Sequence, residues 1–297
     1  MNRWSPRDTS VRGRTATGAA RCSGLTMTQR PDDREVLRRG ELTVLGRIRS
    51  ASNATFLCES TLDDHSVHCV YKPVAGEQPL WDFPDGTLAG RELGAYLVST
   101  QLGWNIVPYT IIRHGPAGRG MMQLWVDQPG DAPGSDPGPG PDLVDLVPAD
   151  RLPPGYLPVL RAYDYAGEPV SLVHADDIRL WRMAVFDVLI NNADRKGGHV
   201  LRGVDGDIYG VDHGVCLHVE DKLRTVLWGW AGKPLDDSTL DRVTRLVDAL
   251  ADSLGDALAD HITSAEIAAL RLRARALLDN PVMPGPDRHR PIPWPAF

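Results

Sequence analysis

Three short stretches of the chain combine side chains able to handle a phosphate ester: Tyr71-Lys72-Pro73, Asn191-Asn192-Ala193-Asp194-Arg195-Lys196-Gly197-Gly198-His199, and Val211-Asp212-His213-Gly214. A strand-end lysine can neutralise nucleotide phosphates, and a helix glutamate such as Glu92 can hold that lysine. A loop aspartate such as Asp194 can orient an acceptor hydroxyl, and a second one such as Asp212 can bind a bridging metal. Together they describe phosphoryl transfer. Each alone has a plainer explanation: a solvated lysine, a surface glutamate, an Asp-Arg bridge at a helix end, a turn at Asp212-His213-Gly214. Their order on successive elements favours a nucleotide site. Only four of the 32 basic residues are lysines, Lys72, Lys196, Lys222 and Lys233, and two of them fall in these stretches, where a compact point charge does what a planar guanidinium does not.

The elements that must carry these residues can be read from pattern. From Glu41 the chain alternates as strands do: Leu42 to Ile48, a polar loop Ser50 to Thr55, a second strand from Phe56, and a third from Val67 to Lys72. Thr87 can cap a helix through Glu92 that stops at Leu102-Gly103, followed by strands at Ile106–Ile112 and Met121–Val126. This is an α+β module with an antiparallel sheet and one helix. Residues 131–160 hold eight Pro and four Gly, which excludes helix interiors and central strands and predicts a surface excursion over 129–160. Beyond it, Asp176 or Asp177 caps a helix running into Asn191, a hairpin joins His199–Leu201 to Ile208–Val211, and Leu240 to Leu254 marks one amphipathic helix. Thr263 and Glu266 form a capping box for a last helix that halts at Asn280-Pro281. The expected division is a disordered extension 1–35, an N-lobe 36–128, the excursion 129–160, a C-lobe 161–280 and a loose Pro-rich tail 281–297.

Composition narrows the function classes. A net charge of −7 argues against bulk nucleic-acid binding. There is no apolar run of about 18 residues, hence no transmembrane segment. Cys22, Cys58, Cys69 and Cys216 form no CxxC pair, which predicts a reduced, cytoplasmic protein, and the Cys58, His65, His68, Cys69 spacing fits no closed zinc site. Trp228 and Trp230 either pack beneath the helices or present a flat platform.

Phe186 to Arg195, followed by Val211 to Gly214, resembles the catalytic and metal-binding loops of the phosphatidylinositol 3-/4-kinase superfamily, and HipA-type serine/threonine kinases share a similar layout. Tyr71-Lys72-Pro73 with Asp194 to His199 is similar to an actinobacterial family described as kinase-like. The resemblance spans residues 41–280. It implies a two-lobed protein-kinase-like fold, with an antiparallel β-rich N-lobe bearing one helix and a mainly helical C-lobe. The implied cofactors are ATP with Mg²⁺ or Mn²⁺, and the implied reaction moves the γ-phosphoryl group to a hydroxyl of a small molecule, lipid or protein. By the same resemblance Asp194 and Arg195 are catalytic, and Ser52, Asn53, Lys72, Glu92, Trp125 and Val126 bind the nucleotide. Asp212 and His199 then take the metal. His199 stands where the superfamily has an asparagine, and imidazole nitrogen suits Mn²⁺ or Zn²⁺ better than Mg²⁺. Three readings follow: a metal ligand with altered preference, a hydrogen-bonding partner of a phosphate or metal-bound water, or a nucleotide-binding pseudokinase without efficient turnover.

Overall fold

A computed structural model describes residues 32–48, 53–130 and 142–297. Ser52 lies outside the described residues with the rest of 49–52, as does residue 31 with everything before it.

The chain first builds an antiparallel sheet. Strands β1 (Glu41–Arg47), β2 (Phe56–Leu62), β3 (His65–Pro73), β4 (Thr110–Gly115) and β5 (Gly118–Leu124) take the order β1-β2-β3-β5-β4. Register sets Lys72 opposite Met121, at the C-terminal end of the central strand β3. A helix α1 (Asp33–Arg39) precedes the sheet, so the expected extension ends earlier than residue 35: the Asp32 carboxylate accepts from Glu35 N–H at 2.7 Å, and Val36 and Leu37 are fully buried. The expected strand at Ile106 begins instead at Thr110. Ile106 and Val107 give their amides to the buried Ser99 hydroxyl (2.9 and 3.2 Å) and are a packed loop.

Helix α2 (Leu88–Leu102) carries Glu92. Its N-terminus is held as the sequence predicts, with Thr87 Oγ1 accepting from Gly90 N–H. The Glu77 carboxylate accepts from the amides of Leu88 and Ala89 (3.0 and 2.8 Å), which places a negative charge at the positive end of the helix. Gly103, left-handed at φ 63°, ends it. On the other side of Glu92, Arg91 reaches into the second half of the chain. Its buried guanidinium pairs with Glu266 at 2.6 Å and donates to the Cys216 and Asp85 carbonyls at 2.8 and 2.9 Å.

From residue 142 on, the chain does not follow the excursion expected over 129–160; residues 131–141 lie outside the described residues. β6 (Val144–Pro148), β7 (Tyr156–Tyr163) and β8 (Pro169–Ala175) form a second sheet in the order β6-β8-β7. Its prolines are tolerated because Pro148 ends an edge strand, Pro158 sits beside a register shift in the other edge strand, and Pro169 opens β8. The rest is mainly helical: α3 (Ile178–Ile190), the hairpin β9 (Val200–Arg202) and β10 (Ile208–Gly210), then α4 (Asp237–Ala249), α5 (Ser253–Ala259) and α6 (Ser264–Asp279). The single helix expected over Leu240–Leu254 is two, interrupted at Leu250–Asp252. Thr263 and Glu266 close the predicted capping box. The core runs from α2 (Ala95, Val98, Leu102) to α3 (Met183, Phe186, Leu189). The tail is not loose: Leu235 N–H donates to Pro281 O at 2.8 Å, Gly232 N–H to Met283 O at 2.9 Å, and Met283 is 1% exposed. The α+β architecture, with a β-rich first half and a mainly helical second half, is as expected, with α1 as an added helix. Among the described residues no helix is long and apolar enough to cross a membrane.

Trp228 and Trp230 are both buried, so they pack and form no platform. Trp230 donates its indole N–H to Asp176 at 2.8 Å and lies 4.3 Å from the His174 ring. His174 is fully buried: Nδ1–H donates to Ala175 O and Nε2 accepts from Gly229 N–H, both at 3.0 Å, an arrangement only the neutral ring permits. Burial pushes its pKa down to about 4. The unfolded chain therefore binds this proton near pH 6.5 and the folded chain does not, so stability falls as pH drops from about 6.5 towards 4 and is level above it. Urea unfolding at pH 7.5 and 4.5 should show that His174→Gln removes part of this acid sensitivity, on the order of 2–3 kcal/mol.

Candidate active site

Strand β3, helix α2, the loop after α3 and the loop after β10 deliver their polar residues to one place. Lys72 Nζ lies 2.6 Å from Glu92 Oε1 and 2.7 Å from Asp212 Oδ1. Glu92 is 1% exposed, and its second oxygen accepts from His213 N–H at 2.9 Å. Burial alone would lower the Lys72 ammonium, but the two carboxylates raise it above its ordinary value. Lys72 in turn holds Asp212 well below the usual carboxylate range. Asp212, with a half-exposed side chain and φ of 62°, is a strained residue aimed at an open face.

Asp194 follows the helix end at Asn191, which is left-handed at φ 53°. Its backbone N–H donates to Asn192 Oδ1 at 3.0 Å, which sets the direction of the loop. Burial raises the Asp194 carboxyl, with Lys196 (Nζ to Oδ2 3.3 Å) opposing that rise. His199 is held by the same loop. Nδ1–H donates to the Asp194 carbonyl at 2.8 Å, leaving the Nε2 lone pair facing Asp212 Oδ2 at 3.5 Å. Burial pushes the His199 pKa down to about 4, so the ring is neutral.

Arg195 does not match its expected role. Its guanidinium is fully buried and turned away from the open face. Nε lies 3.1 and 3.2 Å from the Asp187 oxygens and Nη2 lies 3.0 Å from Oδ1. Nη1 donates to His199 O and Val211 O, each at 3.2 Å, and Nη2 donates to His213 Nε2 at 2.6 Å. It positions both loops and is not available to a transferring group. Asn53 likewise serves the fold, its side-chain oxygen accepting from Gln78 N–H at 2.9 Å. Trp125 and Val126 continue from β5: Trp125 N–H donates to His68 O at 3.0 Å and its ring is partly exposed, whereas Val126 is buried. The structure thus brings together Lys72, Glu92, Asp194, His199 and Asp212, adds Lys196, and gives Arg195 and Asn53 structural work.

Sequence reasoning missed Asp187, His213 and Thr225. Asp187 is fully buried, accepting also from Asn192 Nδ2 at 2.9 Å and Thr225 Oγ1 at 3.1 Å. The signal was a lone carboxylate amid Ala184-Val185-Phe186 and Val188-Leu189, an apolar run in which an unpaired charge is too costly to leave.

No family model matches the chain. Protein Rv2133c of Mycobacterium tuberculosis is 77% identical over 276 residues, covering 93% of this chain and 99% of that protein. The chain belongs to the Rv2133c family. A mycobacterial relative agrees with the actinobacterial resemblance read from Lys72 and from Asp194 to His199. Among solved structures, the Golgi casein kinase aligns to this Rv2133c-family chain with a TM-score of 0.42 and 13% identity, over 84% of this chain and 74% of that one.

Removing one partner of the Asp187–Arg195 pair strands a charge in the core. Arg195→Met should therefore destabilise the protein by about 3–5 kcal/mol in urea melts, and Asp187→Leu combined with Arg195→Met should cost less than the sum of the single changes.

Proposed function

We propose that this chain is an ATP-dependent phosphotransferase of the phosphatidylinositol 3-/4-kinase-like type, acting on a hydroxyl of a small molecule, lipid or protein. The observation that carries the reading is Lys72 clamped between a buried glutamate and a loop aspartate at 2.6 and 2.7 Å. A buried carboxylate on one side fixes the ammonium, and on the other it pairs with the half-exposed Asp212, beside which phosphate oxygens can approach.

The residues fit a divalent cation. A neutral imidazole lone pair facing a carboxylate oxygen at 3.5 Å is two acceptors pointed at one another, an arrangement a cation between them would relieve. Among the described residues no cluster of three or more His, Cys, Asp or Glu could hold a metal, so the remaining ligands would be phosphate oxygens and water. Such a cation, when bound, would neutralise charge on the β- and γ-phosphates. The nitrogen ligand favours Mn²⁺ over Mg²⁺.

The chain's own residues divide the work. Lys72 balances phosphate charge, and Glu92 keeps its ammonium in place. Asp194 receives the proton of the acceptor hydroxyl, aided by the raised affinity that burial gives its carboxyl. The acceptor oxygen forms a bond to the γ-phosphorus as the bond from phosphorus to the β,γ-bridging oxygen breaks, and ADP leaves. Lys196 sits on one oxygen of Asp194 and leaves the other for the acceptor.

A second reading, a nucleotide-binding pseudokinase, draws on His199 in the metal position. Titration calorimetry with ATP and Mn²⁺ tests the nucleotide site that both readings share, and turnover separates them. Binding that Lys72→Ala and Asp212→Ala abolish supports a nucleotide site, and unchanged binding in both variants sinks it. With turnover measured as ADP release, Asp194→Ala should lower the rate by about 10²–10⁴-fold while ATP affinity stays within a few-fold. Increased turnover in His199→Asn would favour the pseudokinase reading, and lost turnover would place His199 in the mechanism. A site that held the nucleotide inverted would move AMP instead of phosphate onto a protein, and the mass of the modified acceptor distinguishes the two.

A further inference from the structure

The end of the chain runs back over the loop that carries Asp194. Pro291 O accepts from Thr225 N–H and from the Trp228 indole N–H, each at 3.0 Å, and Ala296 O accepts from Gly197 N–H at 2.8 Å. Ile292 and Ala296 pack against the main core, and Pro293 is buried. The Phe297 ring covers Gly197 so closely that a Cβ at this position would fall on the ring, whereas a Cβ at Gly198 would meet nothing.

The segment touches the turn that joins Lys196 to His199. Gly197–His199 is a single 3₁₀ turn whose preceding residue, Lys196, provides no side-chain cap, and its first amide would otherwise be an orphan donor. Two adjacent glycines give the backbone little restraint of its own. Yet the residues flanking them, Lys196 and His199, are those aligned on Asp194 and Asp212. The Ala296 carbonyl occupies the cap position from outside the loop, and the Phe297 ring takes the space a side chain at 197 would need.

We propose that Pro291–Phe297 is a positioning element of the phosphoryl-transfer site, which caps the Gly197–His199 turn and so holds Lys196 and His199 in register with Asp194 and Asp212. It is not an inhibitory plug. Its contacts on the loop fall on Gly197, while the polar partners of Asp194, Lys196 and Asp212 all lie within the site itself. The cap is independent of the reaction; its effect on rate rests on the phosphotransferase reading.

The test uses the full chain and two readouts, hydrogen exchange of the amides from Gly197 to Leu201 and ADP release with ATP and Mn²⁺. Gly197→Ala should displace the tail, speed exchange there by about tenfold and lower turnover by about tenfold. Adding Phe297→Ala makes room for the new methyl and should recover most of both losses, while Gly198→Ala should leave the Gly197 amide protected. Should Gly197→Ala unfold the protein, Phe297→Trp presses on the same contact from the tail and should reproduce the faster exchange. Unchanged exchange in Gly197→Ala, no recovery in the double variant, or higher turnover once the tail is displaced would each overturn the proposal. A wild-type chain that protects Gly197 yet releases no ADP would sink the phosphotransferase reading and leave the cap standing.

Discussion

The candidate site depends on one buried ion pair. Asp187 on α3 and Arg195 on the loop that follows are both fully buried, and two such charges in a core persist only when nearly all their lone pairs and protons are taken up. Here they are. Asp187 accepts from Asn192 and Thr225 as well as from Arg195, and Arg195 also donates to the His199 and Val211 carbonyls and to His213. Those partners come from the loop bearing Asp194 and from the loop bearing Asp212. A single guanidinium thus fixes the spacing between two carboxylates that never touch one another.

From there the constraint reaches the sheet. His213 accepts from Arg195 through its ring and donates its backbone N–H to Glu92, which holds Lys72. The order of burial along this path is graded: Asp187 and Arg195 are sealed, Glu92 is nearly so, and Asp212 is half exposed. Rigidity comes from the sealed end, and the proposed chemistry sits at the open end.

The four polar residues were legible because each sits beside a strong local signal: Lys72 at the end of a strand, Glu92 on a capped helix, Asp194 after a helix stop, Asp212 after a hairpin. Helix ends were legible too, since Thr87, Asp177, Thr263 and the left-handed Gly103 act locally. What failed was non-local. Arg195 reads as a charge beside a catalytic aspartate, and only the fold shows that it turns inward to Asp187, eight residues before it. Pro-rich 129–160 reads as irregular, and only sheet order shows that Pro148 ends one edge strand and Pro158 lies beside a register shift in the other. The tail reads as loose because its anchors are main-chain carbonyls, which no side-chain pattern announces.

Arg91 and Glu92 are neighbours on α2, yet they hold opposite halves of the molecule: one grips α6 through Glu266, the other the strand lysine. Swinging this helix outward to disengage Lys72 would tear Arg91 from a buried carboxylate and two carbonyls at the same moment. The clamp is therefore tied through α2 to the packing of the helical half. On the phosphotransferase reading, control over such a site falls to what is admitted to it and how fast products depart.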